Sequence, residues 1–492
     1  MRARAWLVFF SVCLAWEHGG WTADAPALVE APARFKNAPP PKAGSPRAAA
    51  PGAWWTIFRD RTLDGLEQQA VQANQDLAQS VARIDEARQQ ARAAAADFFP
   101  HLDSNLRAER QRTTNTGPIL RAQLAGNAGA FGALLGGSGS SGPPAFASRA
   151  LSETYNDFQA PLTLSYELDV FGRVRHEYAS QRATLQAAEA DRRAVELSLT
   201  GEVAANYFLL RALDSQTAVL RRTVSLRQSA VHLTQERVSA GVSGPLDLAR
   251  ARVVLDETQA DLTDALRQRA ETENSLAALC GQPASDFRLP ADPLEDVAPP
   301  PVPSGIPSDL LARRPDLAEA ERQVAAASDQ IGASRARMLP TFNIEASAGF
   351  ESGSDEELFK SESRALSVLG TIHIPIFEGG RNAADLQAAK ARRDQALDHY
   401  RSTAITAFRE VETALSDLKE RASQSVARRQ AIADANDVFD LSQKRYLEGA
   451  IDYFDVVDAQ RSLLSAELSN VQTLDARFAA TIALIRATGG GL

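Results

Sequence analysis

Between residues 176 and 240 the chain carries Gly201 as its single helix breaker, and Val203, Leu210, Thr217, Val224, Val231 and Val238 recur every seven residues. Leu213 and Leu220 add a second seam. Sustained heptad spacing predicts a helix in coiled-coil packing. The same phase returns 208 residues later in Val411, Leu418, Ser425, Ile432, Phe439 and Tyr446. A helix of about 65 residues runs roughly 100 Å at 1.5 Å per residue, longer than a globular domain of this mass needs. Each long stretch then meets a glycine, Gly241 in SAGVSGPLD and Gly449 in LEGAIDYFD, and a second helical stretch follows. Glycine ends a helix at low steric cost in the left-handed region. The pattern therefore predicts two antiparallel helical hairpins with tight turns at their tips, and shorter helices near 60–98 and 310–338.

Elsewhere the period falls to two. In FQAPLTLSYELDVF, Phe158, Ala160, Leu162, Leu164, Tyr166 and Leu168 alternate with polar or small residues. TFNIEASAGF does the same from Phe342 to Phe350, HLDSNLRAER from Leu102 to Ala108, and RALSVLGTIHIPIF supplies a fourth run. One apolar and one polar face over about ten residues is the pattern of a strand between lipid and a wet lumen. Four strands do not close a membrane-spanning barrel, for which eight is about the minimum. Closure thus calls for several chains, and three would supply twelve strands. In that arrangement the loops at 110–152 and 352–364 face the exterior.

The two periodicities belong to a duplication. Residues 74–102 correspond to 314–342 at a constant offset of 240, with Asp76 against Asp316, Leu77 against Leu317 and Pro100 against Pro340. Farther along the offset is 208, matching Arg173 to Arg381, Gly241 to Gly449, Asp247 to Asp455 and Ala251 to Ala459. A Gly/Ser/Pro-rich insert in the first copy accounts for the change. The expected organisation is an export leader at 1–25, an irregular strap at 26–55 and a first repeat at 56–282 with a β-hairpin at 99–170. A proline-rich crossing at 283–309, a second repeat at 310–487 with a β-hairpin at 340–377, and a tail at 488–492 complete it.

Composition narrows the chemistry. A net charge of −9 argues against nucleic acid as a partner, because phosphate binding needs concentrated Lys and Arg. Two cysteines, Cys13 and Cys280, and six scattered histidines form no metal-ligand spacing. There is no GxSxG and no phosphate-binding loop, since GGSGSSG at 136–142 lacks the lysine and the following helix. Neither a catalytic set nor a cofactor site is expected.

At the start, MRAR precedes the apolar run AWLVFFSVCLAW, too short to span a bilayer and suited to an export signal. Two processing routes are open: lipidation of Cys13 as the first mature residue, giving a palmitate-bearing lipoprotein, or cleavage near WTADA. Past residue 25 no transmembrane helix is expected.

The motifs LSYELDVFGRVR, RVSAGVSGPLDLARAR, LAALCGQP, RPDLAEAERQVAAA, ARMLPTF, IPIFEGGR and RYLEGAIDYFDVVDAQRSLLSAE, in this order along the chain, resemble the TolC-like outer-membrane efflux proteins, in the branch of OprM-like and NodT-like channels. The resemblance covers about residues 50–487. It departs at the leader, where Val12 precedes Cys13 and LAWEHGG follows. What it implies is a mainly α fold with transmembrane β: a homotrimer in which duplicated helical hairpins form a periplasmic tunnel continuous with a twelve-stranded barrel in the outer membrane of a Gram-negative bacterium. A periplasmic adaptor protein and an inner-membrane pump of the RND type are the implied partners, and no cofactor is needed.

The second tip offers Asp452, Asp455 and Asp458 as periplasmic gate candidates; Asp455 and Asp458 resemble the paired aspartates at the family's periplasmic constriction and Tyr446 matches a tyrosine of its closing network, while the arginine some relatives carry two residues past the turn glycine is Ile451 here. Threefold symmetry turns each aspartate into a carboxylate ring, unfavourable to anions. The adaptor would meet the tips at Gly241, Ser243, Gly449 and Ala450. The first copy has Asp247 opposite Asp455 but Arg250 opposite Asp458, so the second hairpin is expected to move and the first to stand as wall. Two other readings share some of these features: an exit duct for type I secretion, and a coiled-coil scaffold that conducts nothing.

Overall fold

A computed structural model describes residues 32–37, 53–112, 154–294, 298–302 and 307–490. The leader with Cys13, most of the strap, most of the loop at 110–152, parts of the proline-rich crossing and the last two residues lie outside the described residues. The chain divides into two compact units: residues 1–87, 183–325 and 392–492 make up one, residues 88–182 and 326–391 the other.

The first unit is helical, and the duplication is literal in its backbone. Helices α1 (Arg61–Ala73) and α2 (Gln75–Ala96) lead to β1 (His101–Ser104), β2 (Arg107–Arg112), β3 (Thr154–Leu168), α3 (Arg173–Ser239) and α4 (Pro245–Leu279). The second copy runs through α5 (Pro307–Arg313), α6 (Pro315–Ala336), β4 (Thr341–Ser352), β5 (Arg364–His373), α7 (Arg381–Leu447) and α8 (Tyr453–Ala487). Helices α3 and α7 have 67 residues each and α4 and α8 have 35 each, every pair at the offset of 208. Matched positions fill matched cores: Leu77 and Leu317, Val203 and Val411, Tyr207 and Leu415, Leu276 and Leu484 are all buried.

The short helices break at equivalent points, and in both copies the residue at the break donates to the last carbonyl of the returning helix. Asn74 caps α2, its Oδ1 accepting from the N–H groups of Asp76 (2.9 Å) and Leu77 (3.1 Å), while its Nδ2 donates to the Leu279 carbonyl at the end of α4 (3.0 Å). Arg314, 240 residues on, donates to the Ala487 carbonyl at the end of α8 (3.1 Å) and holds Asp316 and Glu410, each at 2.7 Å. Both returning helices close with a six-to-one bond around a left-handed glycine, Gln282 to Ala277 across Gly281 and Gly490 to Ile485 across Gly489. A side chain at Gly281 would collide with the Ala73 carbonyl, and one at Gly489 would press the Arg313 carbonyl at 3.0 Å. Close approach of a short helix to the end of its hairpin is thus built into each copy.

The second unit contains an antiparallel sheet in the order β1/β2, β3, β4, β5. Strands β1 and β2 keep one register on β3 and are a single edge strand interrupted at Asn105–Leu106. The interruption lies opposite Pro161, which has no N–H to give the ladder, and Ser104 Oγ bonds the Pro161 carbonyl instead (3.0 Å). The four predicted runs are therefore four strands. The fourth ends at His373, short of the predicted Phe377, because Pro375 interrupts IPIF.

Partners in antiparallel register point to the same side. Consequently all even-numbered strand residues share one face and all odd-numbered ones the other. The even face is apolar over its middle: Leu102, Leu164, Ala346 and Val368 form one row, and Leu162, Ala348 and Leu366 lie in the next. The odd face carries the carboxylates Asp103, Glu109, Asp157, Glu167, Glu345 and Glu351. Both edges lack a strand partner among the described residues. Leu366 on the β5 edge is 80% exposed, and Ile376 and Phe377 beyond it 92% and 88%.

Candidate functional site

The hairpin tips lie in the helical unit. Helix α3 stops when Gly241 takes φ 71°, with Val242 N–H donating to the Arg237 carbonyl (2.9 Å); α7 stops in the same way at Gly449, φ 76°, with Ala450 N–H donating to Arg445 (2.9 Å). Gly241, Gly449 and Ala450 are exposed, and nothing lies within 4 Å of a Cβ built on either glycine. Ser243 is half-buried, its Oγ 3.4 Å from Arg237 Nε.

The predicted gate residues separate into two groups. Asp452, Asp455 and Asp458 are exposed, at and just inside the start of α8. Asp452 sits at the N-cap but its carboxylate accepts no capping bond. Asp455 and Asp458, three residues apart on one helical face, have no ion-pair partner among the described residues. Their counterpart Asp247 is half-buried in the first turn of α4.

Tyr446 lies elsewhere. It is 7% exposed within a cluster that joins both hairpins, with Ala251 and Val254 of α4, Phe439 of α7, and Tyr453, Val456, Val457 and Ala459 of α8. Among the described residues its hydroxyl meets no hydrogen-bond partner, so within one copy it does not bond the aspartates. The ring packs on Tyr453 (5.4 Å between centroids) and under the Arg237 guanidinium (4.7 Å). A second contact of this kind sets Arg250 over Phe454 at 5.6 Å. The first hairpin supplies the cations and the second the rings, a pairing worth roughly 0.5–1 kcal/mol each where exposed and more where desolvated.

Arg227 completes the tip core and does not stand out in the sequence as a site residue. It is 5% exposed. Nη1 donates to the Val254 carbonyl (2.9 Å) and to the Thr258 hydroxyl, while Nε and Nη2 have no partner. Burial and the neighbouring Arg461 cation lower its pKa. Tyr453 lies within its field; burial raises that phenol, to which Thr234 is hydrogen-bonded. The signal for Arg227 was spacing alone. Leu213, Leu220, Arg227 and Thr234 form an unbroken heptad, and all four are buried, but a hydrophobic count ends the seam at Leu220. The first seam, by contrast, is only half-buried at Val224, Val231 and Val238.

Other reactive groups lie in the core. Glu67 is fully buried with neither carboxylate oxygen bonded, and burial, then Asp64, push its pKa up to about 9. Burial and Glu67 push the Cys280 thiol up to about 11, which makes it unreactive. Among the described residues no group of three or more His, Cys, Asp or Glu is arranged to hold a metal, and no helix is long and apolar enough to cross a membrane.

Comparison with known proteins accords with this geometry. The family model described as outer membrane efflux protein matches residues 66–282 and 306–490. The pyoverdine export outer membrane protein OpmQ of Pseudomonas aeruginosa is 32% identical over 438 residues, covering 89% of this chain and 87% of its own length. The cation efflux system protein CusC of Escherichia coli K12 is 29% identical over 444 residues, 89% of this chain and 88% of its own. The solved outer-membrane channel OprN superposes with a TM-score of 0.79 at 27% identity, over 92% of this chain and 99% of that one. The chain belongs to the outer membrane efflux protein family.

Proposed function

We propose that three copies of this chain close their sheets edge to edge into a twelve-stranded barrel and their hairpins into a tunnel, forming the exit duct of a tripartite efflux system. The observation that carries this reading is the four-stranded sheet itself, with one apolar face, one carboxylate-rich face and two unpaired edges. In lipid an unpaired strand edge costs several kcal/mol for each unsatisfied backbone group, so only closure through other copies leaves such a sheet stable there. Antiparallel order is kept when β5 of one copy meets β1/β2 of the next.

The long helices carry the conduit into the periplasm, where the hairpin tips meet an adaptor protein at Gly241, Ser243, Gly449 and Ala450, linked in turn to an inner-membrane pump of the RND type. Energy and cargo choice come from the pump, and the duct catalyses nothing. OpmQ is named for pyoverdine and CusC for cations, which supports a duct indifferent to cargo class. Asp452, Asp455 and Asp458 form carboxylate rings at the periplasmic constriction, and the second hairpin moves while the first stands as wall. Tyr446 acts from within the inter-hairpin core rather than on the rings.

Cysteines at Asp103 and Ser367, on the odd faces of the two edges, test the closure. Oxidation in outer membranes is expected to give covalent trimers in denaturing gels, and a ladder that stops at monomer would sink the reading. For the gate, single-channel recording of Asp455→Ala/Asp458→Ala is expected to show a higher open probability than the unmodified channel. Unchanged gating removes the two aspartates from the constriction.

A further inference from the structure

The apolar face of the sheet carries charge at one end only. Arg110, Arg112 and Arg364 are its charged strand residues; Arg110 pairs with Asn156, Arg112 with Thr154 and Arg364 with Phe350. All three lie at the end where the chain leaves for 113–153 and where the turn at 353–363 joins β4 to β5. All three are exposed, and none has an ion-pair partner among the described residues. The turn carries Asp355, Glu356, Glu357 and Glu362; Glu357 is held by Lys360 (2.9 Å), and among the described residues none of the four forms an ion pair with an arginine of the face.

At the opposite end of the sheet three of the bordering arginines are paired. Arg173 forks onto Glu167 and holds Glu177, both at 2.7 Å, Arg175 holds Asp169 at 3.1 Å and Arg337 holds Glu177 at 2.7 Å. The contrast is between arginines used to brace the protein and arginines with no ion-pair partner among the described residues. Beside the latter stand Phe158, Phe350 and Phe359, the last two with ring centroids 5.5 Å apart, aromatics of the type found where a barrel leaves hydrocarbon for headgroups.

We infer that Arg110, Arg112 and Arg364 form a binding site for the phosphate groups of a phosphorylated glycolipid in the outer leaflet. A guanidinium presents paired N–H donors that match phosphate oxygens, and a ligand that takes this site must be amphiphilic. Its acyl chains lie along Leu162, Leu366 and Val368 while its head reaches the rim. The site rests on the trimer reading in one respect: closure sets Arg364 of one copy beside the strand of the next copy that bears Arg110 and Arg112, so three arginines converge at each seam and three sites form per channel. Every strand carboxylate lies on the other face, so the three guanidinium groups are the charged strand groups that face lipid.

Native mass spectrometry of the full chain in detergent, titrated with bis-phosphorylated lipid A, tests this. The unmodified trimer is expected to take up to three lipids, at least about tenfold more tightly than phosphatidylcholine, and to keep them against inorganic phosphate. Arg110→Gln/Arg112→Gln/Arg364→Gln should weaken lipid A binding at least about tenfold, whereas the corresponding triple lysine variant should retain most of it. Arg107→Gln, on the same strand but the opposite face, should bind as the parent does. Equal binding by the triple glutamine variant, or an equal loss in Arg107→Gln, overturns the site while leaving the channel reading intact. Displacement by inorganic phosphate at the lipid's own concentration would reassign the site to a free anion and overturn it as well. Failure of the edge cysteines to cross-link would overturn both.

Discussion

The two hairpins have the same lengths, the same turn geometry and the same closing bonds, yet their tips are opposite in chemistry. At the positions where the second hairpin places Tyr446, Tyr453 and Phe454, the first has Val238, Pro245 and Leu246; where the first places Arg227 and Arg250, the second has Ala435 and Asp458, while Arg237 has a cation, Arg445, as its counterpart. A duplicated scaffold has thus become two complementary surfaces, cationic and aromatic, that fit each other rather than themselves. The lesson is that the backbone of each copy is held by bonds near the helix breaks and helix ends, which left the tips free to diverge.

The scaffold half of that comparison breaks most sharply at Gly281. Gly281→Ala introduces a Cβ against the Ala73 carbonyl at a left-handed φ of 68°, and a loss of about 4 kcal/mol is expected from strain and overpacking together. Gly489→Ala, with 3.0 Å to its nearest atom, should lose about half as much, as thermal unfolding in detergent would show. Equal and small losses would mean that the short helices do not lean on the hairpin ends.

Glu67 is a difference between the copies at core level, since the second has Pro307 in its place. Its folded pKa of about 9, against the 4.5 of an ordinary glutamate, means that the unfolded chain releases this proton first. Stability therefore falls as pH rises from about 4.5 to about 9, and is flat with respect to this group outside that window. Glu67→Leu should be more stable than the parent, on the order of 3 kcal/mol at neutral pH, with a gain that shrinks toward pH 5. A melting difference that does not change with pH would show that Glu67 finds a partner.

At the tips, Arg227→Met removes a buried cation with two unmatched nitrogens, Nε and Nη2, and fills the same space with an apolar chain. It should tighten the two hairpins by about 2 kcal/mol and lower the open probability of the reconstituted channel. An increase in opening would instead make Arg227 a clasp. The smallest effects belong to the ring pair. Arg237→Ala should cost about 1 kcal/mol through the lost contact with Tyr446, whereas Tyr446→Phe should fall within about 0.5 kcal/mol of the parent, because its hydroxyl has no partner to lose. A large loss in Tyr446→Phe would place that hydroxyl in the closing network after all.

Much of the helical architecture was legible in the chain. Heptads announced α3 and α7, glycines marked both turns, and alternation marked four strands, because each signal is local and repeats. Sequence could not show that Tyr446 points away from the aspartates, since two residues on successive helices share a face only once the hairpin has packed. Nor could it single out Arg227, whose place in a buried seam is visible only when burial rather than hydrophobicity is counted.

The sheet draws the same line. Alternation along each strand was enough to assign one apolar and one polar face, because side chains on a pleated strand point to opposite sides in turn. Which residues of different strands stand side by side depends on register, and a slip of one residue exchanges the faces. The sequence by itself therefore determined the repeats, the helices, their turns and the two-faced strands. Tertiary structure alone decided that six carboxylates gather on one face, that three arginines without an ion-pair partner among the described residues gather at one end of the other, and that cations of one hairpin meet rings of its twin, for these depend on contacts between residues far apart in the chain, such as Phe158 with Ser352 and Arg237 with Tyr446.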